Sequence, residues 1–297
     1  MSRTLSPSTN KPYGVARVIA SWNLARSSYY ASRCRELYPR SAQKRGPKVL
    51  SDLELVTAIR QLLAQPVFTG EGYRKIWARL RYQGMRTSKD RVLRLLRENQ
   101  LLSPARMAQA AATNPHEGAI VTEAPNEMWG TDATATCTDS EGAVTIFAAI
   151  DHCTAECVGI HAVKKATRFE AIEPIRQGIR EHCGAFSRGC AAGLCLRHDH
   201  GSVYMSDDFQ NEIRFLGMES SPAFVRQPEG NGCIERFFRT LKEQLLWVCR
   251  FRDLTELHAA LAEFRHRYNN HWILQRLNYR TPVQARQDFT LEQKAAA

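Results

Sequence analysis

The pattern of apolar positions divides the chain into a helical front part and a later part in which strands alternate with helices. In the front part, apolar residues recur every three or four positions, which places them on one face of a helix. From residue 128 onward the pattern changes to short alternating or continuous apolar runs, which indicate strands. The sequence therefore predicts helical domains followed by an α/β domain.

The helical part is predicted to contain two small units. Residues 12–33 suggest a short helix-turn-helix, although a compact helical pair without a DNA role explains them nearly as well. The second unit begins at a capping box, in which Ser51 and Glu54 can satisfy each other's backbone amides. Helices at 73–82 and from residue 87 or 88 complete an arrangement that can present a recognition helix to the major groove of DNA.

Basic residues crowd the polar face of the third helix of this unit, namely Lys89, Arg91, Arg94 and Arg97. The alternative interpretation is a solvated charged face without a partner. Charge elsewhere favours DNA binding, because residues 1–106 carry 21 Lys/Arg against 6 Asp/Glu, whereas residues 107–250 carry 13 against 19. A basic front joined to an acidic middle is typical of nucleic-acid binding coupled to a metal-binding core.

The later part is predicted to fold as one α/β domain. Strands are expected at 129–136, 144–150 and 158–163, and their tight connections suggest an antiparallel meander. A helix at 167–183 and a strand at 194–197 are expected next. They are followed by a helix at 207–216, a strand remnant at 224–226 and a long helix at 230–250. This order is compatible with a mixed five-stranded sheet, although other mixed sheets share it.

Three separated acids occupy positions suited to holding metal ions. Asp132 lies inside the first strand, Asp199 just past the fourth strand and Glu235 on the long helix, with 35 residues between the second and third acids. Mg²⁺ prefers oxygen ligands, and two such ions about 3.5–4 Å apart can promote phosphoryl transfer. Any one of these acids alone is better explained as a cap, turn or solvated residue. Asp151 is a competing acid, which we expect to hold a turn or to lie beside the site.

The long helix is predicted to have a core face and a basic face. Glu235, Arg239 and Lys242 share the second face, so the two cations could neutralise DNA phosphates beside the acids. The alternative is a surface Glu–Arg pair worth only about 0.3–0.5 kcal/mol. The core face is expected to contain Ile234, Phe238, Leu241, Leu245 and Val248.

The nine cysteines include no Cys-x-x-Cys pair and follow no export signal, so we interpret them as reduced thiols. A zinc site is a weaker alternative, since its spacings match no common ligand pattern; its members would be Cys183, Cys190, Cys195 and His198. No apolar run is long enough to span a membrane. We therefore expect a cytoplasmic protein.

The sequence motifs around the three acids resemble those of the DDE catalytic core of insertion-sequence transposases and retroviral-type integrases. The resemblance covers residues 14–285 and is strongest in Met128-Trp129-Gly130-Thr131-Asp132, His198-Asp199-His200-Gly201 and Asn231-Gly232-Cys233-Ile234-Glu235. The family often reads Ser-Asp-Arg-Gly-Ser-Gln-Tyr at the second acid, so the residues flanking Asp199 depart from its pattern. The most similar family encodes its transposase in two overlapping frames, and this chain resembles the second-frame product.

This resemblance implies a ribonuclease-H-like integrase core preceded by all-α helix-turn-helix domains. It also implies that Asp132, Asp199 and Glu235 are catalytic and hold two Mg²⁺ ions, with Mn²⁺ as a possible substitute. The implied partners are the terminal inverted repeats of a mobile element, target DNA, further copies of the chain on that DNA, and an upstream-frame product, by pairing or fusion. Two rival functions remain open: a ribonuclease-H-like nuclease that cuts without joining, and a non-catalytic DNA-binding regulator.

The expected domain organisation follows the changes in charge and periodicity. It comprises a helix-turn-helix-like segment with a basic linker at 1–46, a helix-turn-helix domain at 47–106, a linker at 107–124, the catalytic core at 125–250 and a helical extension at 251–297.

Overall fold

The computed structural model describes residues 3–37, 50–64, 66–104, 122–223 and 231–296. The chain divides into two compact units, residues 1–49 and residues 50–297. The first unit contains a helical pair, α1 (Val15–Ser21) and α2 (Arg26–Leu37). Most of the linker predicted at 107–124 lies outside the described residues.

Three helices form the front of the second unit, α3 (Asp52–Ala64), α4 (Tyr73–Tyr82) and α5 (Lys89–Glu98). The predicted capping box is present. The Ser51 amide donates to Glu54 Oε2 at 2.7 Å, and the Glu54 amide donates to Ser51 Oγ at 3.2 Å. The three helices bury one shared apolar cluster, which includes Leu55, Ile59, Ile76, Leu80, Val92, Leu95 and Leu96.

A mixed five-stranded sheet forms the centre of the second unit, in the order β3-β2-β1-β4-β5. The strands β1 (Met128–Thr138), β2 (Gly142–Asp151) and β3 (Cys157–Val163) form the predicted antiparallel meander. The strands β4 (Cys195–His198) and β5 (Glu219–Pro222) extend the sheet in parallel on the other side of β1. The predicted ribonuclease-H-like fold class is confirmed.

Both faces of this sheet are covered by helices. Alternate residues of β2 enter two different apolar clusters, with Ile146 and Ala148 in one and Phe147 and Ala149 in the other. The first cluster is completed by α9 (Gly232–Leu241) and α10 (Leu254–His271), and the second by α6 (Arg168–Ala171), α7 (Glu173–His182) and α8 (Asp207–Phe215). Burial on both faces explains why the β2 sequence is an uninterrupted apolar run.

Two predicted helix boundaries in this domain were wrong, and one predicted strand lies outside the described residues. The helix expected at 167–183 is broken into α6 and α7, because Pro174 begins a new helix. The fifth strand is Glu219–Pro222, and the strand remnant expected at 224–226 lies outside the described residues. The helix expected at 230–250 ends as a π-helical segment, Lys242–Leu246.

The chain turns after this π-helical segment so that Phe251 enters the core. The Phe251 carbonyl there accepts a hydrogen bond from the Asp139 amide at 3.0 Å. Val248, expected on the core face, is therefore exposed. A final helix, α11 (Pro282–Ala296), follows α10. No helix within the described ranges has both the length and the apolar character needed to cross a membrane.

Candidate active site

Asp132 lies on the sheet face that α9 covers. It is opposite Ala148 of β2 in the antiparallel register, and Ala148 belongs to the same apolar cluster as α9. Opposite residues in an antiparallel pair point to the same face. The Asp132 carboxylate is partly buried, and its Oδ1 accepts the Ala133 amide at 2.8 Å.

Asp199 follows β4 directly and lies beside Asp132 in the sheet. Gly130 pairs with Arg197 in the parallel register, so each acid is two residues beyond that pair on its own strand. Neighbouring strands are about 4.8 Å apart. Asp199 is exposed, and its Oδ1 accepts the Gly201 amide at 2.8 Å. A Cβ at Gly201 would lie 2.8 Å from the same oxygen, so a larger residue there would displace the Asp199 carboxylate.

Glu235 reaches the site from the first turn of α9. The opposite side of this helix is packed into the core through Ile234, Phe237, Phe238 and Leu241. This packing fixes which side of α9 faces outward and leaves the Glu235 side chain exposed. The helix thus brings the third acid to the sheet face that contains Asp132.

Asn231, which the sequence analysis did not identify, anchors the start of α9 on β1. Its Nδ2 donates to the Thr131 carbonyl at 3.1 Å, and its side chain is buried. A Cβ at residue 130 would lie 2.7 Å from both Asn231 Oδ1 and His152 Nε2, so Gly130 permits this close approach. The available sequence signal was an asparagine one helical turn before Glu235.

The three carboxylates share one electrostatic environment. The pKa of Asp132 is raised to about 6, chiefly by burial and further by the charges of Asp199 and Glu235, while the Ala133 amide and Lys242 oppose the shift. Burial also raises the pKa of Tyr204, with the charges of Asp132 and Asp199 adding to it. The three carboxyl groups are thus close enough for the charges of Asp199 and Glu235 to raise the pKa of Asp132, although their oxygens do not all lie within 4.8 Å of one another.

The two cations predicted beside Glu235 have different surroundings. Lys242 is close enough to Asp132 to lower the pKa of that carboxyl. Arg239 instead pairs with Glu243 on the surface, with 2.9 Å between Arg239 Nε and Glu243 Oε1. Lys242 is therefore the cation that faces the acids.

The predicted DNA-binding residues of α5 are partly engaged within their own domain. Arg91 and Arg94 both pair with Asp52, at 2.5 and 2.7 Å. The Lys89 ammonium lies 4.6 Å from the centroid of an aromatic ring on α4. Arg97 is exposed on the surface of the helix.

Asp151 was expected either to hold a turn or to lie beside the acids, and in the structure it holds a turn. Its Oδ1 accepts the Thr154 amide and its Oδ2 accepts the Asn126 amide, both at 2.7 Å. The carboxylate is fully buried and lies at the end of β2. It therefore supports the connection between β2 and β3.

A second acidic group lies around the end of α7. Within the described part of the chain, Glu156, Glu181 and His182 are the one set of three potential ligand side chains whose atoms gather within 4.8 Å. Arg286 pairs with Glu156 and Arg265 with Glu181. These arginines already neutralise the carboxylates, so the group is a network of ion pairs.

The four side chains considered as a zinc site do not gather in this way. One of them, His198, is buried, and its ring nitrogens are hydrogen-bonded to the Asp199 carbonyl and to Ser220 Oγ, at 2.7 and 2.9 Å. Burial lowers the pKa of His198, which keeps the ring neutral. His198 therefore supports the backbone at Asp199.

Comparison with known proteins identifies two domains. A family described as "Integrase core domain" matches residues 216–282, which include Glu235, whereas Asp132 and Asp199 lie upstream of the match. A family described as "HTH-like domain" matches residues 52–109. The first match covers β5, α9 and α10, and the second covers the three-helix domain in front of the sheet.

The curated relatives are insertion-element transposases. The chain is 28% identical over 216 residues to transposase InsD for insertion element IS2A/D/F/H/I/K of Escherichia coli, covering 71% of each chain. It is also 28% identical to transposase InsD for insertion element IS2-9 of Escherichia coli strain K12, covering 71% of this chain and 70% of the relative.

Two solved structures with similar chains are viral. The HTLV-2 integrase catalytic core domain in complex with magnesium is 20% identical, with a TM-score of 0.42, covering 55% of this chain and 98% of that one. A chain of the simian T-cell lymphotropic virus intasome in complex with PP2A regulatory subunit B56 gamma is 17% identical, with a TM-score of 0.45. The alignment covers 77% of this chain and 74% of the viral chain.

The fold and the matched regions define a protein with an integrase core domain preceded by a helix-turn-helix-like domain. Within that class, the chain is a homologue of the InsD-type transposases of insertion elements.

Proposed function

We propose that this protein is a transposase that binds the ends of an insertion sequence and catalyses Mg²⁺-dependent DNA strand cleavage and strand transfer. The observation that carries the proposal is the shared electrostatic environment of Asp132, Asp199 and Glu235 on a ribonuclease-H-like sheet. The similarity to InsD transposases supports the same conclusion.

The acid cluster has the donor chemistry that Mg²⁺ or Mn²⁺ requires. All three proposed ligands offer carboxylate oxygens, and Asp132 has a raised pKa of about 6 because burial and neighbouring negative charge disfavour its ionised form. A cation among Asp132, Asp199 and Glu235 would remove that penalty. Two bound ions would activate the attacking oxygen and stabilise the leaving oxygen of phosphoryl transfer.

Main-chain and side-chain groups of the protein hold the acids in place, and a lysine beside them would contact DNA. The Gly201 amide fixes the Asp199 carboxylate, and Asn231 fixes the helix of Glu235 against β1. Lys242 can neutralise a phosphate next to the reacting one. Water would attack one phosphodiester and break its P–O3′ bond, leaving a 3′-hydroxyl and a 5′-phosphate. That 3′-hydroxyl would then attack a second phosphodiester and displace the 3′-hydroxyl of the strand it joins, without a covalent protein–DNA intermediate.

The helix-turn-helix-like domain would recognise the terminal inverted repeats, and the catalytic core would engage target DNA. We expect several copies to assemble on paired ends, with an upstream-frame product as a further partner or fusion. The same acids could serve a nuclease that does not join strands. A purely regulatory role is less favoured, because it gives no reason for three acids to cluster at the sheet.

We expect Asp199→Asn and Glu235→Gln to abolish strand cleavage and transfer while changing DNA affinity by less than about threefold, because most phosphate contacts lie elsewhere. Labelled duplexes from the DNA flanking the gene, incubated with Mg²⁺, would report cutting and joining on sequencing gels. Asp139→Asn and Glu263→Gln, at exposed positions outside the acid cluster, are matched controls.

Strand transfer by Glu235→Gln at the wild-type rate would disprove the assignment of the third acid. Cutting without joined products by the wild-type protein would favour the nuclease. Binding without either product would favour the regulator.

A further inference from the structure

The loop between α3 and α4 packs into the catalytic domain. Phe68 is only 2% exposed and belongs to the apolar cluster shared by the sheet, α9 and α10. Its ring lies edge-on to Trp272 and Phe264, with ring centroids 4.7 and 6.5 Å away. Edge-to-face packing of a buried ring is characteristic of a protein interior. The helix-turn-helix-like domain, whose helices have an apolar cluster of their own, therefore inserts one aromatic side chain into the core of the integrase domain.

The next residue adds a polar contact to the same interface. The Thr69 amide and hydroxyl donate to Gln244 Oε1 at 2.9 and 3.1 Å, and Gln244 Nε2 donates to the Thr69 carbonyl at 3.0 Å. Gln244 lies in the π-helical segment that continues α9, the helix of Glu235. The helix-turn-helix-like domain is thus hydrogen-bonded to the π-helical continuation of α9, the helix that contains Glu235.

A second contact comes from the loop after α10. The Tyr82 hydroxyl donates to the Tyr279 carbonyl at 2.7 Å, and the Trp77 ring lies edge-on to the Tyr279 ring at 5.4 Å. Asn278 and Tyr279 have φ values of 54° and 64°, a left-handed conformation that is costly for a residue such as tyrosine. The loop holds this conformation where it meets α4.

We propose that Phe68, Gln244 and Tyr279 are positioning residues that hold the helix-turn-helix-like domain at a fixed distance from the acids, so that this docking selects the phosphodiester to be cut. The inference rests on the proposed function. Duplex DNA has a persistence length of about 150 base pairs, so a bound end behaves as a rigid rod over the length of one protein. A fixed position of the helix-turn-helix-like domain, which binds the DNA end, therefore determines which phosphate reaches the acids.

The test uses the full chain with Phe68→Ala or Gln244→Ala and end duplexes from the DNA flanking the gene, with cleavage mapped at nucleotide resolution. Affinity should stay within about threefold of wild type, because the DNA contacts are unchanged. Cleavage should spread over several neighbouring phosphodiesters and slow down. Phe68→Leu, which refills most of the cavity, should restore the single position.

Phe169→Ala and Gln287→Ala are matched controls, since both side chains are exposed, and they should cut at the wild-type position. Wild-type position and rate in both Phe68→Ala and Gln244→Ala would overturn the proposal. If Phe68→Ala fails to fold, Gln244→Ala decides the question, because it removes only hydrogen bonds.

Hydrogen exchange measures the docking without relying on activity. The Thr69 amide should exchange slowly in the wild-type chain and faster in Gln244→Ala, while amides in α3, α4 and α5 stay protected. Rapid exchange of Thr69 in the wild-type chain would overturn the docking itself. A wild-type protein that neither binds nor cuts DNA would instead disprove the proposed function, and slow Thr69 exchange would then show that docking survives.

Discussion

At the scale of single residues, Asp132 connects the fold to the chemistry. It lies on a central strand under α9, where burial and two neighbouring acids raise its pKa to about 6 from an ordinary value of 3.8. A carboxyl with a raised pKa stabilises the folded state when protonated. That contribution is fully present below the unfolded pKa and is lost as the pH rises through the folded pKa.

Asp132→Asn is therefore expected to be more stable than wild type at about pH 7.5 without metal, by about 1–2 kcal/mol after allowance for partial solvent exposure. The difference should vanish as the pH falls below about 4, where both forms are neutral. Added Mg²⁺ should stabilise wild type and reduce the difference. Urea unfolding across this pH range, with a chelator or with Mg²⁺, would measure both effects.

Asp139→Asn is the control for this experiment, because it makes the same chemical change at an exposed position outside the acid cluster. An Asp132→Asn chain that is less stable than wild type at neutral pH in the chelator would contradict the electrostatic description of the site.

At the scale of elements, α5 contains two kinds of arginine on one basic face. Arg91 is half-buried, pairs with Asp52 at 2.5 Å and donates to the Leu50 carbonyl at 2.6 Å, so it connects α5 to the start of α3. Arg97 is exposed near the end of the same helix. The basic pattern therefore combines a structural role with a surface suited to phosphate.

We expect Arg97→Ala to reduce the slope of log affinity against log salt by about 0.9 if Arg97 contacts phosphate, with unchanged stability. Arg91→Ala should lower the melting temperature, because it removes the contacts between α5 and α3. Binding isotherms at several salt concentrations and thermal unfolding would separate the two. An Arg97→Ala chain with a wild-type slope would exclude a phosphate contact there.

At the scale of the whole molecule, the excess of basic residues lies in front of the central sheet. Residues 1–49 form one compact unit and contain 10 Lys/Arg against a single acid, whereas residues 107–250, which include the sheet, carry an excess of acids. Such an arrangement is expected to attract DNA at the front of the chain and cations at the core.

Removing residues 1–49 should leave the remainder folded, because those residues form a compact unit of their own. DNA affinity should fall, and the salt slope should decrease by about 0.9 for each phosphate that the shortened chain no longer neutralises. The melting temperature of the shortened chain is the control for folding. An unchanged salt slope would show that the first unit binds no phosphates.

The sequence by itself determined the class of fold and the position of each acid along it. The apolar run of β2 predicted a strand, and the structure shows both its faces buried; the capping box of Ser51 and Glu54 marked the start of α3. The placement of Asp132 within one strand and of Asp199 just past another followed from where those apolar runs lie. Local spacing is sufficient for such features, because it reports which face of an element is buried.

Only the tertiary structure decided which distant element covers each face. The burial of Phe68 against Trp272, the bond from Asn231 to the Thr131 carbonyl and the exposure of Val248 all depend on segments far apart in the chain or on the turn after the π-helical segment. Periodicity contains no information about such partners, because the same apolar or polar residue can be satisfied by many neighbours. The packing between the two domains of the second unit was therefore visible only once the chain was folded.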